Sequence, residues 1–268
     1  MTCHPEQEKA DLPENSFQNK YMQRSLKHPE PQLLTGFILY MACLLASPIL
    51  SQENKPVKTL TQLHGTVQYQ TDTEKPWRFA RYYVHGVEKF LAESIIELVP
   101  VGDKNLFPNQ SERISKTHLM DQENFMFIPE TLAIQLGDKV RFKNSEEAFH
   151  NVMCLNDKPP YNVNLAKNQE HIHQPKVAKG AQDPLNIRCV FHGAMKGWIF
   201  VFKHQYFKQT DKSGTFHFTN FPEGTYKLRI AHPSGGLYLE TEERKLTQSI
   251  ITPWNIILTP EHLKAQSE

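Results

Sequence analysis

"GDKVRFKNSEEAFHNV", residues 137–152, decides how this chain is to be read. Gly137-Asp138 is a turn signal, and after it Val140, Phe142 and Asn144 fall on one face of a strand. "NFMFIPETLAIQL", residues 124–136, comes just before, so the stretch reads strand, turn, strand, and it runs out into a polar segment that ends at His150. A period of two with turn residues between short runs is the mark of a β-sheet with one buried face.

The same period extends outward. "GTVQY" (65–69) places Val67 and Tyr69 on one face, and "AESIIELVP" (92–100) is a short apolar run closed by proline. "GWIFVF" (197–202) is continuously apolar, as expected of a central strand covered on both sides. "GTFHFTNFPEGTYKLRIAH" (214–232) alternates most cleanly. Phe216 and Phe218 share a face, Pro222-Glu223-Gly224 turns, and Tyr226, Leu228 and Ile230 follow, which reads as a β-hairpin. Residues 101–118 are polar and read as loop, and helical periodicity is confined to a turn or two near 86–95. The expected class is all-β, built from β-sandwiches.

Composition narrows the function. Lys and Arg number 30 against 29 Asp and Glu in 268 residues, so no basic surface argues for nucleic acid or an acidic membrane. Sixteen Phe and nine Tyr suit an aromatic β core. Residues 1–51 read as a polar extension followed by a signal peptide. "LLTGFILYMACLLASPIL" (33–50), with its apolar core at 33–46, is short of a spanning helix, follows Arg24 and Lys27, and closes on Ala46, Ser47 and Ser51. Cleavage is expected between Ala46 and Ser51, and Met22 would be the more ordinary start. An uncleaved anchor is the alternative; lipid attachment at Cys43 is disfavoured by Tyr40. Export leads to a periplasmic or secreted protein with no stable membrane insertion after processing.

"NIRCVFHGAMKGWIF" (186–200) carries Cys189, His192 and Met195 at intervals of three. Thiolate and thioether favour copper, and two histidines, one cysteine and a distant methionine make a blue-copper set. The loop lacks a second histidine, and His150, at the end of another strand, can supply it. Blander readings stand beside each residue: Cys189 as an inert thiol or a disulfide partner of Cys154, His150 as a hydrogen-bonded loop residue, Met195 as core filler. Cys154 reads as a small buried hydrophobe. His171 and His173 in "QEHIHQ" share a strand face and could hold a second metal, against the reading of a solvated strand.

"FMFIPETLAIQLGDKVRFKNSEEAFHNV" followed by "IRCVFHGAM" resembles the cupredoxins, in particular the short-loop amicyanin and plastocyanin-like members. The resemblance spans residues 121–203. It implies one copper ion cycling between Cu(I) and Cu(II), with His150, Cys189, His192 and Met195 as ligands. It also implies that Asn151, next to the first histidine, fixes the ligand loop and hydrogen-bonds near the sulfur. The flanks, 61–120 and 204–260, resemble the opening and closing strands of a transthyretin-like, carboxypeptidase-regulatory-like sandwich. Together the parts are similar to bacterial methylamine-utilisation-type proteins. The expected arrangement is a Greek-key cupredoxin inserted into the smaller sandwich; the rival is two sandwiches in tandem. His232, at the end of "RIAH", is expected to be structural.

The resemblance implies an electron carrier and not a catalyst, meeting a protein redox partner through the low-charge surface of Phe191, Gly193 and Ala194 around His192. Copper handling and a non-redox secreted binding module are the alternatives.

Overall fold

The structure is a computed structural model that describes residues 61–70, 84–103, 106–107, 113–232, 236–248 and 252–263. The signal-like segment, Cys3 and Cys43 lie outside the described residues. Among the described residues no helix is long and apolar enough to cross a membrane. Helix among them is limited to two 3-10 turns, Gly180–Gln182 and Pro260–His262. Residues 86–89, within the region read as a helical turn or two, form a reverse turn between strands.

Strand patterning builds two sandwiches. Four strands come first: β1 (Thr61–Tyr69), β2 (Val84–His85), β3 (Phe90–Leu91) and β4 (Ile95–Pro100). Nine follow: β5 (Thr117–Glu123), β6 (Met126–Ile128), β7 (Thr131–Gln135), β8 (Lys139–Asn144), β9 (His150–Cys154), β10 (Tyr161–Leu165), β11 (Glu170–His173), β12 (Leu185–Arg188) and β13 (Lys196–Phe202). The last seven are β14 (Phe207–Gln209), β15 (Thr215–Phe221), β16 (Gly224–His232), β17 (Leu237–Glu240), β18 (Arg244–Leu246), β19 (Thr252–Pro253) and β20 (Ile256–Leu258).

The middle nine form two facing sheets, β10-β9-β12-β13-β7 and β11-β8-β5-β6. Between them lies a core that includes Met120, Phe127, Phe142, Val152, Ile187 and Ile199. Alternation alone dictates this, because every second residue of β8 and β12 is buried. β5 starts at Thr117, inside the stretch read as loop and ahead of the residue-121 boundary. Its inward residues include Gln122, and its entry is pinned to the β7–β8 turn. There Asp138 accepts hydrogen bonds from the Lys116 and Gln135 amides and from Arg113, with His118 3.2 Å away. Burial alone would raise the Asp138 carboxyl, but these bonds outweigh it and hold the group below its ordinary value.

The flanking strands form the other pair of sheets. β1 lies between β15 and β3 and also pairs with β19 and β20; β4 lies between β14 and β16. Their shared core includes Tyr69, Phe218, Tyr226 and Ile230. Gly65 is obligatory here, since a Cβ would stand 2.1 Å from the Trp254 carbonyl oxygen. β15 and β16 are not a hairpin, contrary to the sequence reading: β15 pairs with β1 and β16 with β4, so the turn at 222–223 crosses from one sheet to the other. Two apolar faces that both need covering are buried better against each other than side by side.

β13 is covered on both faces, as its apolar run predicted. Ile199 and Val201 enter the first core, whereas Phe200 and Phe202 pack with Ala181 and with Ile95 and Ala231 of the flanking strands.

Candidate metal centre

The β12–β13 connection brings three of the expected residues together. Arg188 pairs with Lys196, leaving residues 189–195 as the loop. Cys189 N–H donates to the Met195 carbonyl at 3.3 Å, and Met195 N–H to the His192 carbonyl at 2.8 Å, so the backbone closes the loop upon itself. Cys189 and Met195 are buried in the same core, at 2% and 1% exposure. β9 runs antiparallel to β12 with Met153 opposite Arg188. Continuing that register three residues back carries His150 level with the loop.

His150 is fully buried. Its Nδ1 lies 3.0 Å from Nδ1 of His192 and 3.9 Å from Sγ of Cys189; His192 Nδ1 lies 3.6 Å from the same sulfur. A circle through these three atoms has a radius of about 2.1 Å, close to the roughly 2.0–2.3 Å that nitrogen and sulfur donors keep from a first-row metal. Two imidazole nitrogens and a sulfur face one point, and a shared cation suits them. Among the described residues these are the one group of three His, Cys, Asp or Glu residues whose ligand atoms converge within 4.8 Å.

The path to His150 is built by Asn144. Its buried amide donates to the Ala148 carbonyl at 2.8 Å and the Leu165 carbonyl at 3.0 Å, and its Oδ1 accepts the Glu146 amide at 3.0 Å. Glu146 in turn places Oε1 against His150 Nε2 in a short contact. That turns Nδ1 of His150 toward the site, and a carboxylate on the outer nitrogen of a ligand histidine fixes its tautomer and makes it a better donor.

Phe125 stands edge-on to both imidazoles. Its ring centroid lies 4.9 Å from that of His192 and 5.7 Å from that of His150, at interplanar angles of 84° and 76°. Sequence reasoning missed Glu146 and Phe125. The carboxylate four residues before the histidine was a usable signal; nothing in the local pattern marked Phe125.

Asn151 departs from what the resemblance implied. Its side-chain nitrogen donates into β10, to Asn162 at 2.5 Å, Asn164 at 3.0 Å and the Val163 carbonyl at 3.3 Å, and not to the 189–195 loop. It locks β9 to β10, while the Asn151 carbonyl accepts from Gln122 at 3.0 Å. Cys154 and Cys189 are both free thiols. Cys154 sits in the core, where burial, with Asp157 adding to it, pushes its thiol up to about 11. His171 and His173 face inward opposite Phe142 and Val140. His173 Nε2 meets Asp157 at 2.5 Å, and burial, then His173, lowers the His171 pKa.

A β-sandwich with a copper-type donor set at one end defines a copper-binding domain. Residues 115–201 match the plastocyanin/azurin family of copper binding proteins. They form a cupredoxin domain, and its cofactor is copper. Solved structures similar to the chain include an oxidised proline-to-glycine mutant of amicyanin, 20% identical, with a TM-score of 0.29, covering 34% of this chain and 86% of that one. Another is a Cu(I) methionine-to-alanine mutant of amicyanin, 19% identical, TM-score 0.28, covering 32% and 81%. No curated protein matches the chain.

Proposed function

We propose that the chain is an exported type 1 copper protein that carries single electrons between redox partners and is not a catalyst. His150, Cys189 and His192 would hold the ion equatorially, with Met195 as the long axial ligand. The observation that carries this reading is the triangle of 3.0, 3.6 and 3.9 Å formed by two Nδ1 atoms and one Sγ. Copper in such a set supplies a one-electron couple. The chain's part is to hold four side chains still: the loop is closed by its own backbone, His150 is oriented by Glu146, and β13 is packed on both faces.

Exposed apolar residues around the half-buried His192 support a docking surface for a protein redox partner. Phe149, Val190 and Phe191 are each about half exposed, with Gly193 and Ala194 beside them. A small, low-charge patch suits the brief contacts of an electron carrier. The signal layout at 33–50 supports a periplasmic or secreted location. The pairing of β1 with β15, and of β4 with β14 and β16, supports an arrangement in which the cupredoxin is inserted into a transthyretin-like sandwich.

The test is the absorption spectrum of copper-loaded protein. An intense blue band that Cys189→Ser abolishes is expected. Copper uptake without that colour would favour copper handling, and no uptake would refute the assignment.

A further inference from the structure

Glu123 pairs with Met126, so Asn124 and Phe125 alone make the β5–β6 turn. Both have left-handed backbones, with φ of 54° and 56°. A two-residue hairpin loop of this kind needs positive φ at both positions and strongly favours glycine at the second. Asparagine tolerates the conformation; a bulky aromatic residue does so at a cost. The chain therefore keeps a locally unfavourable residue where glycine would relieve the backbone, and strain of this sort concentrates at functional sites.

What the aromatic ring gains is its place. Phe125 lies edge-on to the rings of both His150 and His192, yet 52% of it stays exposed, so it stands between the site and solvent. The turn is also tied to the ligands through one atom. Oε1 of Glu146 accepts the Phe125 amide at 3.3 Å and meets Nε2 of His150. Ordinary packing would not require a ring that is half in water on a strained turn.

We propose that Phe125 is a lid residue, held by Glu146 against both imidazoles, that keeps water and competing small-molecule ligands from the copper and slows the ion's escape. This rests on the copper-carrier reading and deepens it, since a carrier must retain its ion through each redox cycle. Phe125 packs against the rings that would hold the ion, so its role is positioning and shielding.

Four proteins test it: wild type, Phe125→Gly, Phe125→Ala and Phe125→Trp. Each is loaded with copper, reduced, and mixed with excess bicinchoninate, and the rate of Cu(I) removal is followed. Removal is expected to be about tenfold faster or more in the Gly and Ala variants, and restored toward wild type in the Trp variant. The reduction potential should fall in Gly and Ala, because admitted water favours the more highly charged Cu(II). Copper-free Phe125→Gly should melt no lower than wild type, since glycine relaxes the turn; a merely structural ring would give the opposite. Unchanged removal rates in both truncated variants would overturn the lid. Copper-loaded wild type lacking the blue band would instead refute the carrier reading, and the removal rates would still decide the lid.

Discussion

Replacing Asn144 by alanine tests whether the delivery of His150 is built or incidental. The side chain is fully buried and makes three hydrogen bonds, to the Ala148 carbonyl, the Leu165 carbonyl and the Glu146 amide, at 2.8, 3.0 and 3.0 Å. At roughly 1 kcal/mol net for each, Asn144→Ala should cost about 3 kcal/mol, and more if the freed backbone groups stay out of reach of water. Urea denaturation of the copper-free protein at neutral pH measures it, and bicinchoninate competition should show copper affinity falling about 10- to 100-fold as the His150 loop loosens. Asn144→Asp sharpens the test. It keeps an acceptor for the Glu146 amide but turns a carboxylate toward two carbonyl oxygens. Its folded-state pKa should therefore be raised, so the penalty relative to alanine is present above that raised value and gone below about 4, the ordinary carboxyl value. A loss below about 1 kcal/mol for Asn144→Ala, which is what one peripheral bond is worth, would refute the reasoning.

Two further predictions concern the flanking sandwich and its joint with the cupredoxin. His232 is fully buried, with Nε2 3.1 Å from the Ala92 carbonyl, and burial pushes its pKa down to about 4. Because the unfolded chain protonates near 6.5, the associated stability, about 3 kcal/mol, is present above that pH and is lost as pH falls from 6.5 through 4. Chemical denaturation at a series of pH values should give that slope, and His232→Gln should flatten it; an unaltered slope would contradict the assignment. Glu97 of β4 accepts the Ala181 amide at 3.1 Å and has Arg229 and His204 at 4.0 and 3.6 Å. Gly180, at φ 67°, passes so close that a Cβ would stand 2.9 Å from the carboxylate. Glu97→Ala should cost about 2–3 kcal/mol and split one calorimetric transition into two, while Glu97→Gln, which keeps an acceptor, should retain one. A single unshifted transition in the alanine variant would show that the apolar contacts alone hold the joint.

The sequence made the donors legible and left their supports hidden. Cys189, His192 and Met195 are visible because ligand chemistry needs particular residue types at a spacing that a strand-to-strand loop imposes, and His150 because it follows a strand of clear alternation, where it opens the next strand. β13 was legible because the six residues 197–202, covered on both faces, have nowhere to place a charge. β5 was not: Thr117–Glu123 buries only Met120 and Gln122 among polar neighbours, and it is a strand because Asp138 anchors its entry and β8 pairs along its length. The crossing between β15 and β16 is hidden for a related reason. Alternation reports that one face is apolar, not which sheet supplies the partner strand. Phe125 is invisible for a third reason, since local propensity argues against it at its position, and only the ring's neighbours explain it.

These supports bear on why the site suits electron transfer. A side chain free to move when the ion changes charge makes each transfer slower, so a carrier benefits from ligands that cannot relax. Here each donor is restrained by a different part of the fold. Cys189 is held through the Met195 carbonyl, His150 through Glu146 and the Asn144-ordered loop, and His192 by the rings of Phe125 and His150, which both pack against it. β13, which follows Met195, is clamped from outside by Ile95 and Ala231 of the flanking sandwich as well as from inside by its own core. Softening any one support should leave the other donors in place and change the potential or the rate of copper loss before it abolishes binding. Removing Cys189 removes the only thiolate in the set, and it should end the blue colour outright.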